Sequence, residues 1–341
     1  MSNSQDLKFA ILTHLSRSGS TLLARMLDDY NDICVTTEGE FPLELFGVKS
    51  YSPIVFNNQR EVMEYLEKVI YRRRVASWKL SSETILQNCQ LAGYPLSGPA
   101  LVKIFLSVYR ETYKPAAKMV IYKACPFMPW HIPESIKFFS EVKFLHLLRD
   151  PRAVLHSQLT SIDPFTQKPY SNSALKTALD WKKAAELTEI DSNILEVRFE
   201  NLLDKPDQTV QGIFQFLELE DASKSDSGEA FINRMEQVDQ ELHQEITLAP
   251  NPEKNMAWQE NLSSRDILLT ETFLNTLMGE KGYPLVLMKN SNPIFIKILI
   301  SGGICKQMGV KILRRTQRVF RLLLSSPMYL IRKIKLKIFH G

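Results

Sequence analysis

The sequence predicts an α/β fold: a P-loop-like parallel β-sheet flanked by helices, with a helical insertion and a C-terminal basic helical tail. Two observations predict it. Apolar, strand-like segments alternate with helical segments through the first 288 of the 341 residues, a pattern typical of parallel sheets. Lys123 and Arg149 follow predicted strands at their carboxyl ends, which is where ligands bind in such sheets.

The first strand and helix are joined by a loop suited to phosphate. Residues 9–12 are an apolar run that predicts a buried strand, and apolar residues with helical spacing begin at Leu22. Backbone N–H groups, the positive end of the helix dipole, hydroxyls and Arg17 could bind an anion between them. Gly19 permits close approach of the backbone. The loop has no Walker lysine, which argues against an ATP or GTP P-loop.

The remaining elements follow in chain order. A short strand at 33–35 leads to the carboxylates Glu38 and Glu40. Residues 41–115 are predicted to be a mainly helical insertion, a common way to build a substrate-facing cap. Later strands are predicted at 118–122, 142–148 and 194–199. Helices are predicted at 61–75, 99–113, 132–139, from 151 onward, 177–187, 206–217, 229–247 and 263–279, with a loop at 251–258.

Arg149 stands at the end of the strand 142–148, directly before a strong helix start. Pro151 suits the first helical turn and Asp150 suits the cap before it. Ser157 is about two turns into this helix, on a face that can return toward the strand end. Arg149 and Ser157 are therefore expected to lie close together.

Charge is distributed unevenly along the chain. The overall net charge is +4, but residues 289–341 contain twelve Lys or Arg and no Asp or Glu. The other thirty basic residues stand against all 38 acidic residues, so residues 1–288 have a net charge of −8. A basic tail on an acidic body favours an anionic surface or partner for the tail and argues against a body that binds nucleic acid.

The four cysteines are scattered and form no C-x-x-C pair or zinc-spaced cluster. Reduced thiols, a cytoplasmic location and no metal are expected. The polar N-terminus shows no signal peptide, and Lys or Arg interrupts each apolar stretch of the tail before it could span a bilayer.

The sequence predicts a basic amphipathic helix in the tail. Between residues 310 and 324, Lys and Arg recur at spacings of three and four opposite an apolar stripe. Such helices lie on anionic membranes or on acidic surfaces. The tail is expected to bind a membrane surface or an acidic partner, the alternative being a helical hairpin packed on the protein's own acidic body.

Several motifs together resemble the sulfotransferases that use 3′-phosphoadenosine 5′-phosphosulfate (PAPS), closest to the carbohydrate and tyrosylprotein branch with its bacterial relatives. Residues 16–23 resemble the family's 5′-phosphosulfate loop, and 149–153 with Ser157 its 3′-phosphate motif. Residues 197–202 resemble its later YEDL segment, and 258–283 its ending. The resemblance covers about residues 8–287 and implies a sulfotransferase domain at 1–288, followed by the tail at 289–341.

The resemblance implies how the donor would be held. Arg149 and Ser157 would bind the 3′-phosphate, Phe199 would pack near the adenine in place of the usual Tyr, and Lys254 is a further candidate for the 3′-phosphate. The 5′ end would be held by the loop residues Arg17, Ser18, Gly19, Ser20, Thr21 and Leu22.

The resemblance also implies catalytic roles. Lys123 would neutralise charge on the leaving oxygen, with Arg17 as a second cation. Glu38 would be the general base, with Glu40 as its rival. Histidine as the base is the weaker alternative, because packing better explains His146 and His156.

The resulting hypothesis is an enzyme that transfers sulfate from PAPS to a hydroxyl acceptor, with a carbohydrate or glycolipid favoured. Protein-tyrosine sulfation is an alternative within the enzymes. A non-catalytic nucleotide-binding adaptor, recruited to a membrane by the tail, is an alternative from another class. A cytoplasmic protein, peripheral on a membrane if the tail binds lipid, fits all three.

Overall fold

A computed structural model describes residues 7–48, 52–72, 74–126, 128–139, 141–164, 166–219, 223–224, 228–242 and 253–288. Within these residues the central feature is a five-stranded sheet in which every pairing is parallel. Its strand order, β2-β5-β1-β6-β9, confirms the predicted fold class. The strands are β1 (Lys8–His14), β2 (Ile33–Val35), β3 (Val55–Phe56), β4 (Leu96–Ser97), β5 (Met119–Lys123), β6 (Lys143–Leu148), β7 (Ile162–Asp163), β8 (Lys168–Pro169) and β9 (Ile194–Arg198), of which β3–β4 and β7–β8 form small antiparallel pairs.

Helices flank and connect the strands. The loop that follows β1, residues 15–19, is called the phosphate loop, and the helix that follows it is short. The insertion between β2 and β5 is mainly helical, as predicted. The α-helices are α1 (Ser20–Asp28), α2 (Gln59–Lys68), α3 (Ser82–Ala92), α4 (Gly98–Tyr113), α5 (Ile132–Ser135), α6 (Pro151–Thr160), α7 (Ala174–Ala185), α8 (Phe199–Asp204), α9 (Pro206–Leu217), α10 (Gly228–Asn233), α11 (Gln237–Leu242), α12 (Glu253–Met256), α13 (Trp258–Asn261) and α14 (Ser264–Glu280).

Strand β1 lies at the centre of the sheet because its side chains are buried on both faces. Phe9 and Ile11 join one hydrophobic core, whereas Ala10 and Leu12 join the other. Successive strand residues point to opposite faces, so this alternation places one core on each side of the sheet. The parallel register aligns Leu12 with Lys123 of β5, and therefore brings the end of β1 beside Lys123.

The insertion forms an aromatic cluster with Tyr122 of β5 over one face of the sheet. The Phe41 ring centre lies 5.6 Å from that of Trp78, 5.5 Å from that of Phe105 and 5.3 Å from that of Tyr122. The Trp78 indole N–H donates to the Thr37 carbonyl. Edge-to-face aromatic pairs add about 0.5–1.5 kcal/mol each beyond burial of their area. This cluster fixes the segment that carries Glu38.

Some predicted element bounds were wrong. The helix predicted at 61–75 ends at Lys68 and continues as 3-10 turns at Ile70–Arg72 and Arg74–Trp78, because the backbone leaves helical geometry at Val69. Helix α3 was missed. The predicted loop at 251–258 contains α12.

The polar helix predicted at 229–247 is instead two short helices, α10 and α11, within its described part. The break falls at Arg234, whose guanidinium pairs with Asp28 and donates to the Val35 carbonyl. This tertiary contact draws the chain away from a continuous helix.

The chain divides into two compact units, residues 1–262 and 263–341. In the second unit, Ser263 caps α14 and the Glu271 carboxylate accepts N–H bonds from Val286, Leu287 and Met288. The tail predicted at 289–341 lies outside the described residues. In the part of the chain that is described, no helix has the length and apolar character to cross a membrane.

Candidate functional site

The loop between β1 and α1 has the backbone geometry of an anion cradle. Arg17 and Gly19 have φ values of 71° and 91°. A Cβ on Gly19 would lie 2.1 Å from the Phe199 ring. Glycine is therefore required here both by the left-handed backbone and by the close approach of Phe199.

The start of α1 is suited to hold a negative group. Among the described residues no side chain caps its first turn, and that turn contains no acidic residue. Unpaired N–H groups and the helix dipole favour an anion at such a position. Ser18, Ser20 and Thr21 are buried around it. The Leu22 N–H is bonded to the Gly19 carbonyl at 3.1 Å, so we expect Leu22 to contribute packing to this site.

The residues predicted to bind the second phosphate of the donor lie against this loop. The Arg149 Nη1 donates to the Arg17 carbonyl at 3.2 Å, and its Nε donates to Asn255 Oδ1 at 3.0 Å. Arg17 Nε donates in turn to Ser157 Oγ at 3.1 Å. The structure thus brings Arg17 together with Arg149 and Ser157, which belong to a second segment more than 130 residues later in the chain.

Phe199 lies between the two halves of this site. Its ring packs against Gly19, and the guanidinium carbon of Arg149 lies 4.5 Å from the ring centre. The ring orients Arg149 by stacking, an arrangement that suits arginine better than lysine.

Helix α6 is attached to the phosphate loop by a second contact. Gln158 Nε2 donates to the Ser16 carbonyl at 2.9 Å, while its Oε1 accepts from Thr177 Oγ1 at 2.8 Å. As predicted, the helix begins with an Asp150 cap, whose Oδ1 accepts from the Arg152 N–H at 2.8 Å. Arg152 is itself 1% exposed and lies over the Trp258 ring, so its position is structural.

Lys123 connects the phosphate loop to the predicted base. Its Nζ donates to Thr21 Oγ1 at 3.1 Å and lies 3.5 Å from Glu38 Oε2. The side chain is 5% exposed, so this ammonium acts in a poorly solvated place where its charge is weakly screened. A group held at Thr21 and a group held at Glu38 would therefore both lie close to one cation.

Glu38 has two cationic neighbours and one histidine neighbour. Its Oε1 accepts from Arg74 Nη1 at 2.6 Å, and its Oε2 lies 3.8 Å from His14 Nε2. Burial by itself would raise the pKa of Glu38, but the charges of Lys123 and Arg74 outweigh it and hold that pKa below its ordinary value. Glu38 is consequently ionised at neutral pH.

Arg74 comes from the insertion and was not predicted to take part in the site. Its guanidinium forms ion pairs with Glu38 and with Asp239 of α11. Burial opposes its charge, but these two carboxylates raise the pKa of Arg74 above its usual value. In the sequence Arg74 ends an arginine run at 72–74, and nothing in that local pattern links it to Glu38.

His14 was not considered from the sequence at all. It is the last residue of β1 and is 2% exposed. Its Nδ1 lies 3.0 Å from the Leu15 carbonyl oxygen, and burial lowers the pKa of His14 to about 4 despite the nearby Glu38. A polar residue that ends an apolar strand, directly before a phosphate loop, is the signal that could have found it.

The other predicted residues lie at varied distances from this cluster. The Lys254 backbone belongs to α12, but its side chain lies outside what the structure describes. The neighbouring residue Asn255 is the one that contacts Arg149. His146 Nδ1 lies 2.9 Å from Thr13 Oγ1, within the sheet. Glu40 follows Glu38 on the same loop, and both remain candidates for the base.

One aromatic residue at the site was also missed. The Arg17 guanidinium carbon lies 5.6 Å from the ring centre of Tyr170, which follows the short strand β8. Burial lowers the pKa of Arg17, while Tyr170 acts in the opposite direction. No periodic pattern in the sequence marks Tyr170, because it belongs to a loop.

The fold and the site together define an α/β enzyme core in which an anion-binding loop faces a lysine and a carboxylate. The model of the sulfotransferase family matches residues 11–223. Because this match spans more than half of the chain and includes both phosphate motifs, the chain belongs to the sulfotransferase family, whose members transfer sulfuryl groups.

Solved structures of several sulfotransferases resemble this chain at low identity. The sulfotransferase domain of the Synechococcus PCC 7002 olefin synthase is 18% identical, with 80% of this chain and 94% of that chain covered and a TM-score of 0.47. Mouse sulfotransferase SULT7A1, complexed with PAP, is 14% identical, with coverages of 86% and 88% and a TM-score of 0.39. Sulfotransferase STF9 from Mycobacterium avium is 12% identical, with coverages of 82% and 78% and a TM-score of 0.39.

The comparison with curated proteins gave no match. Within the described residues, no three His, Cys, Asp or Glu side chains are grouped so that they could hold a metal ion.

Proposed function

We propose that this protein transfers the sulfuryl group of PAPS to a hydroxyl group on a carbohydrate or glycolipid. The observation that carries the proposal is the position of Lys123, whose Nζ lies 3.1 Å from Thr21 Oγ1 and 3.5 Å from Glu38 Oε2. One ammonium thus serves both the phosphate loop and the predicted base. This is the arrangement that an in-line transfer between a bound donor and an activated hydroxyl requires.

The residues present fit such a donor. The α1 start without an acidic residue or a side-chain cap suits the 5′-phosphosulfate. Arg149, with its planar fork stacked on Phe199, suits the dianionic 3′-phosphate, and Ser157 would add a hydroxyl donor. PAPS supplies an activated sulfuryl group, with a phosphate as the leaving group.

Each charged residue of the cluster has a role in this proposal. Lys123 and Arg17 would stabilise negative charge on the leaving phosphate oxygen. Glu38 would take the proton of the attacking hydroxyl. Since the neighbouring cations hold Glu38 ionised, it is ready to accept that proton at neutral pH. Glu40 is the rival base, two residues further along the same loop.

The remaining assignments are part of the same proposal. Residues 1–288 would form the catalytic domain, and residues 289–341, with twelve Lys or Arg and no acidic residue, would place it on an anionic membrane or acidic partner in the cytoplasm. A carbohydrate or glycolipid acceptor is favoured because the motifs most resemble the carbohydrate and tyrosylprotein branch.

The test is to incubate the full chain with PAPS carrying radiolabelled sulfate and separate glycan, lipid and protein fractions of a cell extract. The proposal expects label in the glycan or glycolipid fraction. Label on tyrosine in the protein fraction would replace it with protein-tyrosine sulfation. PAP binding without transfer to any fraction would favour the nucleotide-binding adaptor.

A further inference from the structure

His14 presents a buried acceptor atom to the predicted base. The Leu15 carbonyl can only accept a hydrogen bond, so the His14 Nδ1 that lies 3.0 Å from it carries the ring proton. In the neutral imidazole, Nε2 then has a lone pair. This atom is buried without a hydrogen-bond partner and lies 3.8 Å from Glu38 Oε2.

Two acceptors therefore face one another with no proton between them. A buried polar atom without a partner costs about 1–3 kcal/mol, so its presence in the site requires a reason. The 3.8 Å separation exceeds a hydrogen bond, as expected when both atoms offer only lone pairs. One added proton would convert the contact into a hydrogen bond.

We propose that His14 Nε2 and Glu38 Oε2 hold a single proton between them, and that during turnover this proton is the one removed from the acceptor hydroxyl. The inference rests on the proposed function. As the hydroxyl oxygen forms its bond to sulfur, the bond from sulfur to the donor's phosphate oxygen breaks and its electron pair leaves with that phosphate. The hydroxyl proton passes to Glu38, whose O–H then turns toward His14.

The contact between His14 and Glu38 would offset the effect of the neighbouring cations on the basicity of Glu38. Lys123 and Arg74 keep Glu38 ionised but also make it a weaker base. A neutral His14 would stabilise the protonated form of Glu38 by accepting its O–H, whereas the charge of a protonated His14 favours the ionised carboxylate. It acts through Glu38 and is thus a positioning residue.

Two of the other titratable groups around Glu38, a thiol and a phenol, stay protonated at acidic pH. Burial raises the pKa of the Cys125 thiol and that of the Tyr170 hydroxyl. The remaining neighbours are Lys123, Arg74 with its partner Asp239, Tyr122 behind the loop, and Glu40. Two titrating atoms that share a proton this way have pKa values that belong to the pair.

The experiment compares His14→Phe, which removes Nε2 and keeps a ring of similar size, with His14→Gln, whose amide oxygen can still accept. In the full chain with PAP bound, the infrared band of the protonated Glu38 carboxyl is followed against pH and assigned with Glu38→Gln. We expect the band to appear at a pH about one unit lower in His14→Phe than in the wild type. If the attraction between a protonated His14 and the ionised Glu38 carboxylate were the only link between the two residues, His14→Phe would move the band to higher pH and overturn the proposal.

Turnover provides the second readout. His14→Phe should lower the plateau of kcat about tenfold and move the acid limb of the kcat profile to lower pH, while its PAP affinity stays within about twofold of the wild type. The kcat of His14→Gln should lie within about threefold of the wild-type value. An unchanged kcat profile, or equal losses in both variants, would contradict the shared proton. A wild type that transfers no sulfate would overturn the proposed function and the turnover step that rests on it. The shared proton would still be decided by the infrared measurement, which needs no turnover.

Discussion

Arg17 donates a hydrogen bond to Ser157 across 3.1 Å, although the two residues are 140 positions apart in the chain. The contact joins the loop predicted for the 5′ end of the donor to the helix predicted for its 3′ end. Arg149 adds a second link through the Arg17 carbonyl. Both ends of the proposed donor site are therefore held by one another before any ligand enters, an arrangement that would lower the entropy lost on binding.

Arg149→Ala should weaken PAP binding by roughly 10- to 100-fold, because it removes charge-assisted hydrogen bonds to the 3′-phosphate. Calorimetry with PAP and with AMP, which lacks that phosphate, gives the decisive comparison. The wild type should prefer PAP strongly and the variant should bind both similarly. An equal loss for both nucleotides would indicate that Arg149 acts on the fold instead.

Glu38→Gln should lower kcat by about 10²- to 10⁴-fold while PAP affinity stays within a few-fold, since the change removes the base and keeps the side-chain shape. Single-turnover sulfate transfer measures the first quantity and calorimetry the second. Glu40→Gln is the matched control, because it alters a carboxylate on the same loop. If Glu40→Gln shows the larger loss, the two roles are exchanged.

Gly19→Ala should abolish donor binding and destabilise the protein, because φ is 91° and the new Cβ would lie 2.1 Å from the Phe199 ring. The left-handed backbone alone costs about 1–2 kcal/mol for a residue with Cβ. Gly279→Ala is the control: this helical glycine has open space for a Cβ and should gain roughly 0.5–1 kcal/mol. Urea unfolding and PAP titration of both variants check the contrast.

Stability should fall on acidification in a way that depends on His14. Its pKa is about 4 in the folded protein and about 6.5 for an ordinary exposed imidazole, so the unfolded chain binds the proton first. The free energy of unfolding is unaffected above pH 6.5 and decreases by about 3 kcal/mol as the pH falls to about 4. The lowered pKa of Glu38 acts in the same direction below pH 4.5.

Urea unfolding of the wild type and His14→Phe between pH 7.5 and pH 4 tests this linkage. The variant lacks the buried imidazole and should lose less stability across the interval. Parallel curves for the two proteins would show that His14 is not the group responsible.

The tail should bind anionic membranes electrostatically. Changing Arg314, Arg315, Arg318 and Arg321 together to Gln in the full chain should weaken binding to phosphatidylserine vesicles by at least about 100-fold, since each basic residue near such a surface contributes about 1 kcal/mol. Sedimentation with vesicles measures it, and PAP binding should be unchanged. Neutral vesicles are the control, and equal binding to both vesicle types would be inconsistent with an electrostatic tail.

The fold and half of the site could be predicted from local sequence pattern. Apolar runs mark β1 and β6, and Asp150 with Pro151 marks the start of α6. The loop residues and Arg149 follow these strands directly, so their proximity is a consequence of parallel topology.

The other half of the site could not be predicted because it comes from distant segments without periodic marks. Arg74 reaches Glu38 only because α2 ends early and a 3-10 turn redirects the chain. Asp239 and Asn255 lie on short helices where a long helix and a loop were expected. Their contacts depend on tertiary packing, which cannot be predicted from the local sequence around each residue.

The central place of β1 also determines when the site can form during folding. Its register joins Leu12 to Lys123 and to Leu145, so two of its pairings close more than a hundred residues of intervening chain. Contacts of such high sequence separation slow folding, because the entropy of closing the long loops is lost before the contacts are made. Lys123 and Arg149 reach the phosphate loop only when these long-range pairings are made, so we expect the proposed donor site to assemble together with the central sheet.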